Sequence, residues 1–332
     1  MRQVLQVIAL ILGSVPVFGN TAQPGFWGAG GTGSFSLLYP EDSNDYRKIQ
    51  MVDELVTVKL YDGFAAVKGT YYMYNATKDS IFIKAGYPIN SIFQSEINHD
   101  RADIKFDALY QLRAAINGVQ IDVLKDSIPD PQYAYEKENW YVWENAFAPE
   151  DTTVIEVYFL VNTKTSVLMG YARDQVNGFI YLLECGSTWK QPIVHGRVQV
   201  LLDESINLEE IKGTYPDSIF SWNEACRVLF YDFDSLSPTP DDNIIISYEL
   251  KNAEFDFGIV SARADNYFAE LDEFEKNPPV MSGESRTFGD PFYAEGGFWS
   301  PLTIIATLFF GGLALFIGLI VVLVKVFTKK RN

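Results

Sequence analysis

The sequence predicts an all-β fold: an antiparallel β-sandwich ectodomain, one large or two small, plus one C-terminal transmembrane helix. Two observations predict the sandwich. Apolar and polar residues alternate along many short stretches, and turn-forming residues separate those stretches. A third observation predicts the helix, because residues 301–324 contain no charged side chain.

The chain begins with a pattern typical of an exported protein. Arg2 precedes an apolar run over residues 4–15, and Gly19 follows shortly after it. A basic start, a short apolar run and small residues at its end indicate a secretory signal peptide. We expect residues 1–19 to be cleaved, although an uncleaved anchor or a buried strand is the alternative. Residues 20–52 are predicted to form a glycine-rich leader.

Two hairpins are the most definite elements of the sandwich. Residues 53–75 alternate on both sides of an Asp-Gly pair at Gly63, and residues 109–124 on both sides of an Asn-Gly pair at Gly118. Such pairs favour two-residue hairpin turns, because glycine adopts the positive φ that these turns require. Further strands are predicted over residues 80–86, 140–147, 152–161, 178–185, 194–202, 227–233 and 243–250.

The predicted sandwich covers residues 53–260. A polar stretch near residues 126–138 could divide it into two smaller β-domains. After the sandwich and one helix, residues 278–300 are rich in glycine, proline and polar residues, which is typical of a stalk.

One helix is predicted outside the membrane, over residues 261–277. Its apolar residues recur at near-helical spacing, and two prolines follow it. The acidic residues Glu270, Asp272, Glu273 and Glu275 are predicted to form a solvated outer side.

The C-terminal region predicts a membrane anchor. Residues 301–327 are long and apolar enough to cross a bilayer, and basic residues follow at once. Basic residues favour the cytoplasmic side. Residues 328–332 are therefore predicted to be a cytoplasmic tail, and the protein a single-pass type I protein of the cell membrane with an extracytoplasmic N-terminal domain.

The charge of the chain limits its partners. The sequence has 43 acidic and 26 basic residues, and a formal net charge of −17. Nucleic acid is excluded, because its phosphates require a basic surface. The predicted partners are the membrane, through the C-terminal helix, and an unidentified protein or polymer.

Cys185 and Cys226 are the two cysteines. In an oxidising compartment, a single pair most often forms one disulfide. Two buried thiols that behave as small apolar groups are the alternative.

Two short motifs suggest a modification and an ion. Asn75 begins an Asn-Ala-Thr sequence, which is an N-glycosylation acceptor if the host is eukaryotic, and otherwise an asparagine that ends a strand. Asp232, Asp234, Asp241 and Asp242 lie close together, and carboxylates in a loop can bind calcium. The spacing is not that of an EF-hand, so solvated acids are the simpler interpretation.

No catalytic, cofactor-binding or metal-binding residue is predicted. Residues 28–33 match the Gly-rich dinucleotide pattern, but no strand precedes them and no helix follows them. Residues 184–189 contain a cysteine and a serine, yet only His99 and His195 could activate a nucleophile. No hydrolase elbow or phosphate-binding loop occurs in the sequence.

Trp140, Tyr141 and Trp143 are the residues best suited to stack against a sugar. Alternate residues of a strand share one face, which is also how a core is built. We therefore favour a core role for these aromatics over a carbohydrate platform.

Three stretches carry a resemblance to a known group of proteins. They are GAGGTGSFSLL at residues 28–38, the stretch from 53 to 88 that ends in IKAGYP, and FIYLLECGSTWKQPIVHGRVQV at residues 179–200. Together they resemble exported bacterial β-rich domains of unknown function, which are loosely similar to the N-terminal domain of inter-alpha-trypsin-inhibitor heavy chains. The resemblance covers residues 28–202. It implies a β-sandwich in a bacterial envelope, and it brings no catalytic residues.

The sequence therefore predicts a membrane-anchored extracytoplasmic β-sandwich module for binding or structural display, without catalytic activity. The alternative is an anchored carbohydrate-binding protein or a glycoside hydrolase that uses carboxylates.

Overall fold

β-Strands account for most of the residues whose structure is described. The computed structural model describes residues 25–26, 36–37, 43–88, 91–92, 105–106, 110–126, 140–163, 176–181, 183, 186–249, 251 and 256–289. The strands are β1 (Gly25–Phe26), β2 (Ser36–Leu37), β3 (Ile49–Tyr61), β4 (Phe64–Asn75), β5 (Ile81–Pro88), β6 (Ser91–Ile92), β7 (Lys105–Phe106), β8 (Tyr110–Ile116), β9 (Val119–Ile121), β10 (Leu124–Asp126), β11 (Trp140–Phe147), β12 (Thr152–Asn162), β13 (Val176–Tyr181), β14 (Ile193–Leu202), β15 (Ile211–Tyr215), β16 (Ser221–Asn223), β17 (Val228–Leu236), β18 (Ile244–Glu249) and β19 (Glu284–Ser285). The helices are α1 (Ser43–Tyr46), α2 (Phe257–Ser261) and α3 (Ala264–Lys276), with single 3-10 turns at Gly186–Thr188, Leu208–Glu210 and Pro240–Asp242.

A nine-stranded sheet organises these elements. Its strand order is β19-β16-β17-β14-β3-β4-β12-β8-β9. All neighbours in it are antiparallel except β14 and β3, which pair in parallel from His195 opposite Asp53 to Leu202 opposite Leu60. This pair corrects the expectation of a wholly antiparallel sandwich. Parallel neighbours require a long crossover connection, which the chain between these two strands supplies.

The two predicted hairpins form at the predicted turns. β3 and β4 pair as far as Tyr61 opposite Phe64, and Gly63 between them has a φ of +96°. β8 and β9 turn at Asn117 and Gly118, whose φ angles are +51° and +76°. Glycine reaches such angles without the steric cost of a side chain, which is why these turns could be recognised in the sequence.

One face of the large sheet carries the main core. Two three-stranded sheets, β10-β11-β5 and β13-β18-β15, contribute side chains to the same buried cluster as this face. Trp189 lies in this cluster, with its ring centroid 4.8 Å from that of Tyr46 and 6.1 Å from that of Phe147. The described chain is therefore β-rich and layered, with sheet packed on sheet.

The opposite face of the large sheet packs against α2 and α3. A second cluster of buried residues joins the two layers, namely Tyr61, Phe64, Ala66 and Leu160 of the sheet with Val260, Ala264, Phe268 and Leu271 of the helical segment. The rings of Tyr61 and Phe64 stack with their centroids 4.4 Å apart. α3 lies within the range that the sequence predicted for a helix.

The predicted fold class included a C-terminal transmembrane helix, and the structure contradicts that part. The longest helix among the described residues, α3, has 13 residues, and no described helix is long and apolar enough to cross a membrane. The same finding contradicts the predicted single-pass type I location at the cell membrane. Residues 301–327, the signal peptide and the cytoplasmic tail lie outside the described residues.

Two predicted boundaries also differ from the structure. Strands from both sides of residues 126–138 share sheets, because β5 pairs with β11 and β8 pairs with β12. The sandwich is therefore not divided there into two separate sheet systems. The predicted stalk begins as part of the fold, because Glu284–Ser285 forms β19 at the edge of the large sheet.

We expect Phe147→Ala to lower the free energy of unfolding by about 3–5 kcal/mol, because it removes a large side chain from a packed core. Phe147 is 0% exposed. Phe82→Ala is the matched control, since Phe82 lies on the neighbouring strand β5 and is 73% exposed. Urea unfolding followed by circular dichroism measures both. Equal losses for the two variants would contradict this description of the core.

Candidate functional site

α3 places acidic side chains against the large sheet. Its residues Phe268 and Leu271 are 4% and 0% exposed and face the sheet. Residues three and four positions apart lie on one side of a helix. Asp272 and Glu275 therefore border this apolar stripe and reach the same sheet face, where β3 and β4 present lysines.

Lys68 of β4 is the centre of these contacts. Its Nζ atom lies 2.8 Å from Asp272 Oδ1, 2.8 Å from Glu275 Oε2 and 3.2 Å from Glu156 Oε1. Only 7% of its side chain is exposed. The ammonium also lies 5.1 Å from the centroid of the Tyr158 ring, within the range of a cation–π contact. One buried cation is thus shared by three carboxylates from two layers.

The cluster favours the charged forms of Lys68 and Asp272. Burial by itself would lower the pKa of Lys68, but the hydrogen bonds to Asp272 and Glu275 raise it well above its ordinary value. Burial likewise would raise the pKa of Asp272, but hydrogen bonds from Lys68 and the Tyr158 hydroxyl lower it. The Tyr158 hydroxyl donates to Asp272 Oδ1 at 2.8 Å. Because the charges of Lys68 and Asp272 stabilise each other, this cluster is suited to hold α3 on the sheet rather than to transfer protons.

A second contact of the same kind lies one strand away, on β3. Lys59 Nζ lies 2.6 Å from Glu270 Oε2 and 3.6 Å from Asp203 Oδ1. The Tyr61 hydroxyl donates to the same Glu270 oxygen at 2.7 Å. Burial and the hydrogen bond to Glu270 raise the pKa of Tyr61 above its ordinary value. α3 is therefore attached at two lysines on adjacent strands.

Of the four acidic residues predicted to form a solvated side of this helix, Glu270 and Glu273 are exposed, whereas Asp272 is half-buried and the side chain of Glu275 is only 12% exposed. Glu270, Asp272 and Glu275 bind lysines of the sheet, and Glu273 is exposed. Helical spacing alone could not tell which side of α3 faces the sheet. The missed signal was Lys68, a cation on the same face of β4 as the apolar residues Phe64 and Ala66.

A buried carboxyl group in the main core was also missed by the sequence analysis. Glu54 is 0% exposed, and the Tyr181 hydroxyl donates to its Oε1 atom at 2.9 Å. The hydroxyl oxygens of Tyr181 and Tyr71 lie 3.0 Å apart. This chain of polar groups gives the core between the sheets specific hydrogen bonds.

Beyond the C-terminal end of α3, the same sheet face exposes its side chains to solvent. Tyr72, Asp53, His195 and Asp234 lie opposite one another on β4, β3, β14 and β17. Asp53 is exposed, and Tyr72 is 38% exposed. The side chains of His195 and Asp234 are 64% and 82% exposed. With the next pair along the strands, we call this region the open face: Asp53, Tyr72, His195, Arg197, Asp232 and Asp234.

The polar side chains of the open face pair with each other. His195 Nδ1 lies 2.6 Å from Asp234 Oδ1. Arg197 binds both carboxylate oxygens of Asp232, with 3.0 Å between Nη2 and Oδ2. A histidine–aspartate pair also occurs in hydrolase triads. The other residue opposite His195 is Asp53, however, so this row of the sheet lacks the serine, threonine or cysteine of such a triad.

The aspartates considered for calcium face different partners. Asp232 and Asp234 belong to the open face, whereas Asp241 accepts a hydrogen bond from the Tyr215 hydroxyl at 3.2 Å. Asp242 accepts bonds from the backbone nitrogen and the hydroxyl of Thr239. No group of three or more metal-ligating side chains is found among the described residues. The four carboxylates therefore do not converge on one ion.

Asn75 organises a turn instead of presenting its amide to solvent. It is 0% exposed, and its Nδ2 atom donates to the carbonyls of Asp79, Phe147 and Ala148. Its Oδ1 atom accepts bonds from the backbone nitrogen and the hydroxyl of Thr77. A glycan on Nδ2 would displace these bonds in the folded chain, which favours the strand-end interpretation.

Several sequence candidates lie partly or wholly outside the described residues. Cys226 is half-buried and Cys185 lies outside the described residues, so their disulfide remains a prediction. The Gly-rich motif at residues 28–33 and His99 also lie outside the described residues. Within the 184–189 segment, Trp189 is 1% exposed and belongs to the core.

The aromatic residues considered for sugar stacking do not form a described platform. Trp143 is 3% exposed, and its Nε1 atom donates to Asn145 Oδ1 at 3.2 Å inside the core. Tyr141 is half-buried, and burial raises the pKa of its hydroxyl. The side chain of Trp140 lies outside the described residues.

No protein-family model matches this sequence, and no curated protein matches it. A putative nutrient binding protein from Legionella pneumophila is 14% identical, with 77% of this chain and 91% of that chain covered and a TM-score of 0.42. An M1 zinc metallopeptidase from Deinococcus radiodurans is 8% identical, with coverages of 61% and 42% and a TM-score of 0.30. Native yeast LTA4 hydrolase is 9% identical, with coverages of 62% and 30% and a TM-score of 0.37.

These similarities are too low to assign a function to this chain. The chain spans less than half of the metallopeptidase and of the LTA4 hydrolase. None of the three is named as an inter-alpha-trypsin-inhibitor heavy chain, so that resemblance remains a prediction.

We expect Lys68→Met to lower the free energy of unfolding by about 3–5 kcal/mol, because it leaves three carboxylates close together without their cation. Lys78→Met is the matched control, since Lys78 is exposed on the turn after β4. Its loss should stay within about 0.5 kcal/mol, as for most surface substitutions. Urea unfolding measures both. A loss for Lys68→Met as small as that of the control would show that the cluster does not hold α3.

We expect the stability that Asp272 contributes to disappear in acid. Its pKa is lowered in the folded state, so its contribution is present above the ordinary aspartate pKa of about 3.9 and is lost as the pH falls through the folded-state value. We compare the free energy of unfolding of the wild-type chain with that of Asp272→Asn from neutral to acidic pH. The difference should be largest near neutrality, and it should begin to shrink as the pH falls below about 4. A difference that stays constant over this range would contradict the assignment.

Proposed function

We propose that this chain is a non-catalytic binding module and that its open face takes a cationic segment of a partner protein. The observation that carries the proposal is the row of exposed, mutually opposed residues on four adjacent strands: Tyr72, Asp53, His195 and Asp234. The rigid backbone of a sheet holds such a row in place without further support.

Charge complementarity favours a cationic partner. The open face carries the carboxylates of Asp53, Asp232 and Asp234 against the one guanidinium of Arg197 and the imidazole of His195. The whole chain has a formal net charge of −17, which attracts cations over distances longer than a contact. Tyr72 adds an exposed ring, against which a lysine or arginine side chain can lie.

The other charged clusters support a binding role rather than catalysis. The carboxylates around Lys68 and Lys59 are committed to ion pairs that fasten α3. A glycoside hydrolase needs two carboxyl groups on either side of a bound sugar. No observation on the described residues favours that alternative, and Trp143, one of its proposed stacking residues, is buried.

We expect the combined change Asp53→Asn and Asp234→Asn to weaken binding of a fluorescent lysine-rich decapeptide by about tenfold, which corresponds to about 1.4 kcal/mol. Tyr72→Ala should weaken it by roughly two- to fivefold through loss of the cation–π contact. Fluorescence anisotropy with the full chain, at low and at physiological ionic strength, measures both effects.

The matched control is Glu204→Gln with Glu209→Gln, which removes the same charge beyond the far end of β14, where both residues are exposed. An equal loss of affinity in this control would show that general acidity, and not the open face, binds the peptide. Turnover of a glycan, peptide or ester by the full chain would contradict the non-catalytic part of the proposal.

A further inference from the structure

The segment that follows α3 behaves as an added strand. α3 ends at Lys276, and after Asn277 and two prolines the chain runs along the edge of the large sheet. We call residues 280–289 the strap. Within it, β19 pairs antiparallel with β16, with Ser285 opposite Ser221 and Glu284 opposite Trp222.

The strap joins two sheets through its backbone. The Arg286 nitrogen donates to the Phe220 carbonyl at 2.9 Å, at the edge of the large sheet. The Thr214 nitrogen of β15 donates to the Gly289 carbonyl at 3.1 Å, and Gly213 and Gly289 form a parallel bridge. Among the described strands, β16 and β15 would otherwise lie at sheet edges, whose unpaired backbone groups attract a further strand.

Few side chains hold the strap in place. Val280 is 84% exposed, and the residues from Ser282 to Thr287 are exposed as well. Phe288 is half-buried and packs against the main core. Recognition by main-chain bonds with few side-chain anchors is the pattern of strand addition, in which an extended peptide joins a sheet edge.

Two glycines of the strap restrict which sequences can lie along this sheet edge. A Cβ atom on Gly283 would lie 2.3 Å from the carbonyl oxygen of Trp222, and one on Gly289 would lie 2.7 Å from that of Lys212. Both obstacles are backbone atoms, which cannot move aside as a flexible side chain can. The edge therefore accepts an extended segment with glycine at these two positions, and the strap itself has that pattern.

We propose that this edge is a strand-addition site that the strap of a second copy of this chain can fill by exchange. The second copy supplies the same glycines, the same Phe288 and the same backbone bonds, so that among the described residues only the link at residues 277–279 changes its path. This surface is distinct from the open face, and the inference does not depend on the proposed function. Because a tethered strap competes at an effective concentration in the millimolar range, exchange increases with protein concentration.

Cysteine pairing between two different chains tests the exchange. One full chain carries Ser221→Cys and another carries Ser285→Cys, and both also carry Cys185→Ser and Cys226→Ser. The two chains are mixed, warmed so that the strap can detach, and oxidised. Directly opposed residues of antiparallel strands lie at Cα distances that a disulfide can bridge. A disulfide between the two chains therefore requires an exchanged strap.

We expect a disulfide-linked heterodimer whose yield rises with protein concentration. Val280→Cys in place of Ser285→Cys is the control, because Val280 is not opposite Ser221, and it should give no such rise. Ser221→Cys and Ser285→Cys in one chain should close internally at low concentration. The proposal is overturned if the chain with both cysteines closes internally while the two single-cysteine chains give no more heterodimer than the Val280→Cys control at any concentration.

Peptide binding provides a second measurement. Gly283→Val in the full chain displaces its own strap, so this variant should bind a labelled peptide of residues 280–289 at least tenfold more tightly than the wild-type chain does. The same peptide carrying Gly283→Val should lose this binding. Equal binding of the two peptides would overturn the proposal, because the edge would then not select the strap.

Discussion

The burial of one ammonium group, that of Lys68, sets the arrangement around the large sheet. Its side chain is 7% exposed and lies between Glu156 of the sheet and Asp272 and Glu275 of α3. A cation withdrawn from water is tolerated only when carboxylates replace its hydration. α3 cannot slide along the sheet without separating these charges, and so its position is determined more sharply than an apolar contact alone would determine it.

The position of α3 in turn decides what the rest of the sheet face can do. The helix covers the part of the face around Lys59 and Lys68 and leaves the row that contains Tyr72 and His195 exposed. Its C-terminal end also directs the chain toward the β16 edge, where the strap adds β19. The open face and the strap are therefore both consequences of where one helix is fastened.

The sequence predicted the two hairpin turns, but it did not predict how the helix and the strands pack on one another. The turns at Gly63 and Gly118 were recognised because each depends on two adjacent residues. The solvated side predicted for α3 was wrong for Asp272 and Glu275, because a helix with charges on one side and apolar residues on another does not reveal how wide its buried side is. The transmembrane helix was predicted from composition alone, and no described helix can span a membrane. The sequences of β14 and β3 did not indicate their parallel pairing, since apolar and polar residues alternate in the same way in parallel and antiparallel strands.

By itself, the sequence determined the β-rich character of the chain, its two hairpin turns and one helix within residues 261–277. These features follow from preferences of residues that are neighbours along the chain. Only the tertiary structure decided that Lys68 meets Asp272, 204 positions later, that Asp53 lies beside His195, and that Gly283 approaches the backbone of Trp222. Such contacts depend on how sheets and helix stack, and stacking is decided by the joint burial of residues far apart in the sequence, which no local pattern records.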